Sequence, residues 1–146
     1  MEKTVGAIYP VPAHLFERLF DGEIKVFVKY LAHTATKLNP KHKIIFYASK
    51  SSRKLIGEGT IQRVEFLRPN EVLTRYKNDL FLTEAEFHAY VNRSPSRSNS
   101  KQMLTLVLKN LRKYQRPVEY ASPMTMAGQY ITSEDYAIII KKMNEH

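Results

Sequence analysis

Residues 38–61, LNPKHKIIFYASKSSRKLIGEGTI, constrain the fold more than any other stretch of the chain. Asn39-Pro40 ends a loop, because proline fixes its own φ and biases the residue before it towards extended backbone. Ile44-Ile45-Phe46-Tyr47 is a short run of β-branched and aromatic residues and reads as a strand. Residues 49–54 form a polar connection with three cations, and residues 55–61 return as a second strand. Gly57 and Gly59 share one face of it, where another group can approach the backbone closely. The result is a hairpin with a positive tip, suited to a polyanion. The same residues equally describe a solvated tip with glycines at a bulge.

Charge is distributed unevenly. The net charge is +9, and fifteen of the 23 Lys/Arg lie in two runs that contain no carboxylate. One runs from 24 to 57 (Lys25, Lys29, Lys37, Lys41, Lys43, Lys50, Arg53, Lys54). The other runs from 87 to 118 (Arg93, Arg97, Lys101, Lys109, Arg112, Lys113, Arg116). Such asymmetry points to one basic face for a polyanion, most simply nucleic acid. The alternative is a basic protein whose cations cover several faces. A chain of 146 residues suits one domain with a proper core. The absence of cysteine points to a reducing, cytoplasmic setting. No apolar run approaches the roughly 20 residues of a membrane span.

The remaining elements follow from local signals. Residues 5–9 read as a first strand, stopped by Pro10 and Pro12, with a short helix over 14–20 closed by Asp21-Gly22. Residues 24–31 alternate: Ile24, Val26, Val28 and Tyr30 share one face, and Lys25, Phe27, Lys29 and Leu31 share the other. The second face mixes cations with an aromatic ring, as proteins do when they hold a phosphate backbone and stack a base; a half-solvated strand has the same pattern. The second hairpin strand continues to 67, and a helical turn is expected over 70–76. Thr83 and Glu86 form a capping box for a helix to about Val91. Residues 93–101 are serine-rich and basic, an exposed loop. Residues 103–111 are the most apolar strand, and residues 112–116, RKYQR, with three cations and one tyrosine, are the densest nucleic-acid-like signal in the chain; a charged strand end has the same composition. Thr132–Asp135 opens a last helix with Tyr136, Ile139, Ile140 and Met143 inward. The expectation is an α+β fold with mainly antiparallel or mixed pairing, a small barrel-like sheet flanked by helices.

Several chemistries lack their signatures. The sequence has no phosphate-binding loop, no dinucleotide fingerprint, no HExxH and no GxSxG, and its five histidines form no metal pattern. No cofactor or metal is expected, and a nucleotide-driven or zinc enzyme is disfavoured.

The hairpin resembles a segment shared by PUA-like domains, the EVE, ASCH and PUA groups. Pro40, Lys43, Ile45, Tyr47, Ile56, Gly57, Gly59 and Ile61 carry the likeness. The stretch MTMAGQYITSEDYAIII is similar to the close of EVE-type domains. The whole chain resembles an uncharacterised archaeal family of that superfamily. The resemblance implies a pseudobarrel of five to six strands and RNA binding, with EVE-like reading of a modified or flipped base. An ASCH-like resemblance implies instead a small hydrolase acting on a modified nucleoside or RNA. The chain has no tryptophan, so an aromatic clamp falls to Tyr or Phe. Gly22, Lys25 and Lys29 approximate the ASCH glycine–lysine–threonine–arginine pattern, with different spacing and no threonine.

The sequence therefore nominates Lys25, Lys29, Arg53, Lys54, Arg97, Lys101, Arg112, Lys113 and Arg116 as phosphate contacts. Phe27, Tyr30, Tyr47 and Tyr114 are candidates to stack a base, and Gly57 and Gly59 to admit a close ligand. RNA, or a single-stranded or modified nucleic acid, is the expected partner. For a hydrolase, Lys25 with Glu65 or Glu58 would supply the acid and base.

Overall fold

The computed structural model describes residues 3–31, 35–49, 53–93, 101–120 and 128–144. Among these residues six strands form one sheet: β1 Thr4–Pro12, β2 Ile24–Lys29, β3 Lys43–Ser49, β4 Lys54–Leu67, β5 Met103–Glu119 and β6 Gln129–Thr132. Their order is β2-β5-β4-β3-β1-β6. The β1–β3 pair is parallel and the other pairs are antiparallel. Helices flank the sheet: α1 Phe16–Leu19, α2 Pro69–Tyr76, α3 Glu84–Val91 and α4 Ser133–Asn144. This is the α+β, PUA-like pseudobarrel that the sequence implies. Among the described residues no helix is long and apolar enough to cross a membrane.

The curl comes from the two longest strands. The β4–β5 register shifts three times, and each irregularity bends the pair and increases its twist. The sheet wraps until β2 and β1, far apart in strand order, face each other across the interior, where the Phe27 and Tyr9 rings stack at 5.4 Å. The outer edge of β2 is covered by the chain near Leu80: Val26 N donates to Asp79 O at 2.7 Å, and Phe81 N donates to Val26 O at 3.0 Å. One face of the sheet, with α1 and α3, holds the larger core around Phe46, Phe87 and Leu106. The other face packs Ile8, Ile45, Leu55 and Val118 beneath Tyr136 and Ile139 of α4.

Four local expectations change. Pro10 and Pro12 do not stop β1, which pairs with β3 as far as Pro12. β6 reaches only to Ile8, so among the described residues no strand pairs with the β1 edge beyond it, and proline is tolerated where no ladder bond is needed. Residues 112–116 are not a frayed end: β5 runs on to Glu119, anchored by buried Tyr114 and Val118 among exposed cations. β6, Gln129–Thr132, is a further strand, formed just before the last helix. The helix expected over 14–20 is a 3-10 turn, Ala13–Leu15, followed by the single turn of α1. The two capping boxes form as read. Glu86 N donates to Thr83 Oγ1 at 3.2 Å, and Asp135 N donates to Thr132 Oγ1 at 3.1 Å.

Candidate nucleic-acid interface

Where the curled sheet fails to close, between the end of β1 and the end of β2, lies a cavity of about 250 Å³. Residues 10–12 of β1 and residues 27–29 of β2 form two sides, and α3 with residues 81–82 forms the third. Its floor is Phe27, whose ring lies against Tyr9 and, at 4.9 Å, Phe81. Polar groups are few. Lys29 Nζ lies 5.5 Å from the Tyr9 ring centroid. His14 and Glu86 both line it, with Nε2 and Oε2 3.6 Å apart.

Glu86 is held by two neighbours. Its Oε1 accepts from Thr83 N at 2.8 Å and from Arg18 Nη1. The Arg18 guanidinium, aided by the Thr83 hydrogen bonds, outweighs burial and holds the Glu86 carboxyl below the usual carboxylate range. The group is therefore an anion and an acceptor at neutral pH. On the opposite rim, Tyr90 Oη accepts from Tyr30 N at 2.8 Å, and the Tyr30 and Tyr90 rings stack at 5.6 Å. Arg93 lies over Tyr90 and Lys101 over Tyr30, 5.9 and 5.5 Å from the ring centroids. An apolar slot floored by a ring thus has cations on its rim.

The nominated residues divide between this cavity and other places. Lys29 and Phe27 line it; buried Tyr30 stacks on Tyr90 of its wall, and Lys101 lies over Tyr30. Arg112, Lys113, Tyr114 and Arg116 line a second, more polar cleft of about 450 Å³ beside Met143 and Asn144. Arg53 and Lys54 lie at the β3–β4 connection. Arg97 lies outside the described residues. The stacking candidates Tyr47 and Tyr114 are buried on the α4 face, because each alternates with residues that occupy the other side of its strand.

Two expectations are corrected. Lys25 joins neither carboxylate proposed for it. It is nearly buried, with its ammonium 2.5 Å from Asp21 Oδ1. Lys25 pairs with Leu108, whereas Glu65 pairs with Thr105; these positions have opposite parity on β5, so the side chains lie on opposite faces. Glu65 binds Arg75 and the Tyr76 hydroxyl instead. The glycines also admit no ligand. A Cβ at Gly57 would strike the Phe20 ring and lie 2.7 Å from Arg112 O; one at Gly59 would lie 2.8 Å from Leu111 Cδ2. Their bareness serves packing of the core.

Glu58 is buried at 3% exposure. It accepts from Tyr114 Oη at 2.9 Å, from Tyr136 Oη at 2.9 and 3.0 Å and from Arg112 Nη2 at 3.2 Å, with Lys43 Nζ at 3.5 Å. The sequence did not nominate Glu86, His14 or Arg18 as site residues. The only sequence signal at Glu86 is the capping box, which explains one carboxylate oxygen and leaves the other unassigned.

The family described as Domain of unknown function (DUF365) matches residues 4–133. The chain belongs to that family. A relative, Uncharacterized protein MJECS03 of Methanocaldococcus jannaschii, is 38% identical over 107 residues, covering 69% of this chain and 99% of the relative. The fold is shared more widely than the sequence. ASCH from Zymomonas mobilis superposes with a TM-score of 0.76 at 13% identity, covering 94% of each chain. The N-terminal domain of Staphylothermus marinus McrB superposes with a TM-score of 0.56 at 20% identity, covering 97% of this chain and 98% of that one.

Proposed function

We propose that this DUF365 chain is a nucleic-acid-binding domain, with RNA as its partner, that receives one unstacked base of a single strand in the cavity between β1 and β2. One observation carries the reading: a mostly apolar slot that Phe27 lines is also lined by Lys29 and Arg93, and Lys101 lies nearby over Tyr30, whose ring stacks on Tyr90 of the slot. A flipped base needs a flat apolar site with a few polar groups at its edge, and its flanking phosphates need cations outside. Single-stranded RNA offers unstacked bases, whereas a duplex keeps them stacked. The fold shared with the McrB N-terminal domain and ASCH is consistent with this use. The test is fluorescence anisotropy with single-stranded RNA, single-stranded DNA and duplex DNA over a salt series, on wild type and Ala89→Trp. Ala89 is exposed on the cavity wall, so tryptophan there blocks the slot without disturbing the core. The reading expects single strands to bind best, RNA above DNA, and the variant to lose most of that binding. Equal binding by wild type and variant defeats it.

A second reading, hydrolysis of a modified nucleoside or RNA, is favoured by one observation: Lys29, His14 and Glu86 line the same cavity. Turnover of a modified nucleoside that Lys29→Ala abolishes would establish it.

A further inference from the structure

The last helix presents a face that its own packing does not use. In α4, Ile139 is buried and Tyr136, Ile140 and Met143 are half-buried, while Glu134, Asp135, Ile138, Lys141 and Lys142 are exposed. Residues three and four apart share a helix face, so these five form one stripe. Ile138 stands at its middle and, at 49%, is the most exposed large apolar residue among those described. The two carboxylates lie one turn before it and the two ammonium groups one turn after it. The helix dipole favours acids first and bases last, but it gives no reason for an isoleucine in water between them. Beside Ile138 is a hollow of about 70 Å³, lined by Val118, Tyr120 and Ile139, with Asp135 and Lys142 also on its wall. A single exposed isoleucine needs no explanation. One that is flanked symmetrically by opposite charges and adjoins an apolar hollow has the make-up of an interface.

The stripe is complementary to itself. We propose that two copies of this chain associate through α4, antiparallel, with Ile138 on the two-fold axis. In such a pair residue 134 meets 142 of the other copy and residue 135 meets 141, and symmetry repeats both contacts. Every acid then faces a lysine, and each Ile138 lies against the other copy's hollow. A parallel pair would set acid against acid. The patch covers about three helical turns, less than a permanent interface needs, so the pair forms and dissociates with concentration. None of its residues lines the cavity between β1 and β2, so the association is independent of the nucleic-acid reading.

The experiment is sedimentation equilibrium of the full chain over a concentration series. The wild-type molar mass is expected to climb from that of a monomer towards twice that value. Ile138→Glu should stay monomeric with an unchanged urea midpoint, because residue 138 is exposed. Glu134→Lys and Lys142→Glu each set like charges against each other twice, by symmetry, and each should weaken association by about tenfold. Both leave the Thr132–Asp135 cap in place. Mixed in equal amounts, these two variants restore opposite charges at both ends and should pair with each other as wild type pairs with itself. A mass that stays at the monomer throughout, or a dimer that Ile138→Glu leaves intact, overturns the proposal. A mixture that associates no better than its components overturns the antiparallel arrangement. Single-strand binding weakened by Lys142→Glu, with the mass unchanged, would give this face to nucleic acid instead of a second copy.

Discussion

Two glutamates on opposite sides of the sheet show how one residue type takes two different duties. Glu58 is sealed between the sheet and α4, and two tyrosine hydroxyls and two cations surround it. Glu86 is partly exposed at a cavity wall, with one oxygen held by Thr83 and Arg18 and the other 3.6 Å from the exposed His14. A buried charge is tolerated only when its hydrogen-bonding capacity is met, and a satisfied group has nothing left for a ligand. Their neighbours differ accordingly: Glu58 locks α4 to the sheet, and Glu86 caps α3 at the wall of the proposed pocket.

The largest expected effect tests the lock. Glu58→Ala leaves the buried Tyr114 hydroxyl and the Tyr136 hydroxyl without their acceptor, while Arg112 and Lys43 can turn to solvent, and a buried polar group left unsatisfied costs about 1–3 kcal/mol. Urea unfolding measures it. Glu86→Ala should cost only about 1 kcal/mol, the scale of removing a helix cap. Equal destabilisation would erase the contrast between the two sites. Binding should rank them the other way, since Ala89→Trp abolishes capture of a single strand while leaving the unfolding midpoint in place.

The lock also predicts how stability responds to alkali. Burial, followed by the nearby Glu58 carboxylate, pushes Tyr136 up to about 12 and pushes Tyr114 up as well. An unfolded tyrosine gives up its proton near pH 10, as a rough reference. Between about pH 10 and about pH 12 the folded chain therefore holds protons that the unfolded chain has lost, and stability falls as pH rises. The unfolding midpoint in urea should drop across that window and hold steady below it. Tyr136→Phe should flatten part of the drop; an identical slope in that variant would uncouple Tyr136 from the lock.

Much of this architecture is legible in the sequence, and the limits have physical causes. The β3–β4 hairpin, the Thr83 and Thr132 caps and the apolar start of β5 are local signals, and they formed as read. The extension of β5 through 112–119 was hidden because its buried positions, Tyr114 and Val118, are four apart among cations, and their cover comes from α4, distant in the chain. Lys29 and Phe27 were nominated because cations alternating with a ring are a local pattern, and Lys101 because it ends a basic, serine-rich stretch. Glu86 was not nominated, because its place in a cavity with Lys29 depends on how α3 packs against strands 15 residues apart in the chain, Pro12 to Phe27. The runs of cations were visible, but their convergence was not: curvature sends Lys29 and Lys101 to one opening and residues 112–116 to another.

The smallest expected effect separates those two openings. Reversing all three cations of the second cleft is a poor test, because glutamate at 112 would face Glu58 and unfold the lock. Lys113→Glu with Arg116→Glu avoids this; the ion-pair partner of Lys113 is Glu17 at 3.5 Å, on a side chain 90% exposed. If this cleft only supports the strand electrostatically, the double variant should weaken every single strand alike and reduce the salt slope by about one for each phosphate it no longer neutralises. The ratio of affinities between single strands of different sequence should stay fixed, because the phosphates carry no base information. A changed ratio, or a loss of binding as complete as that of Ala89→Trp, would move the reading site from the gap between β1 and β2 to the basic end of β5.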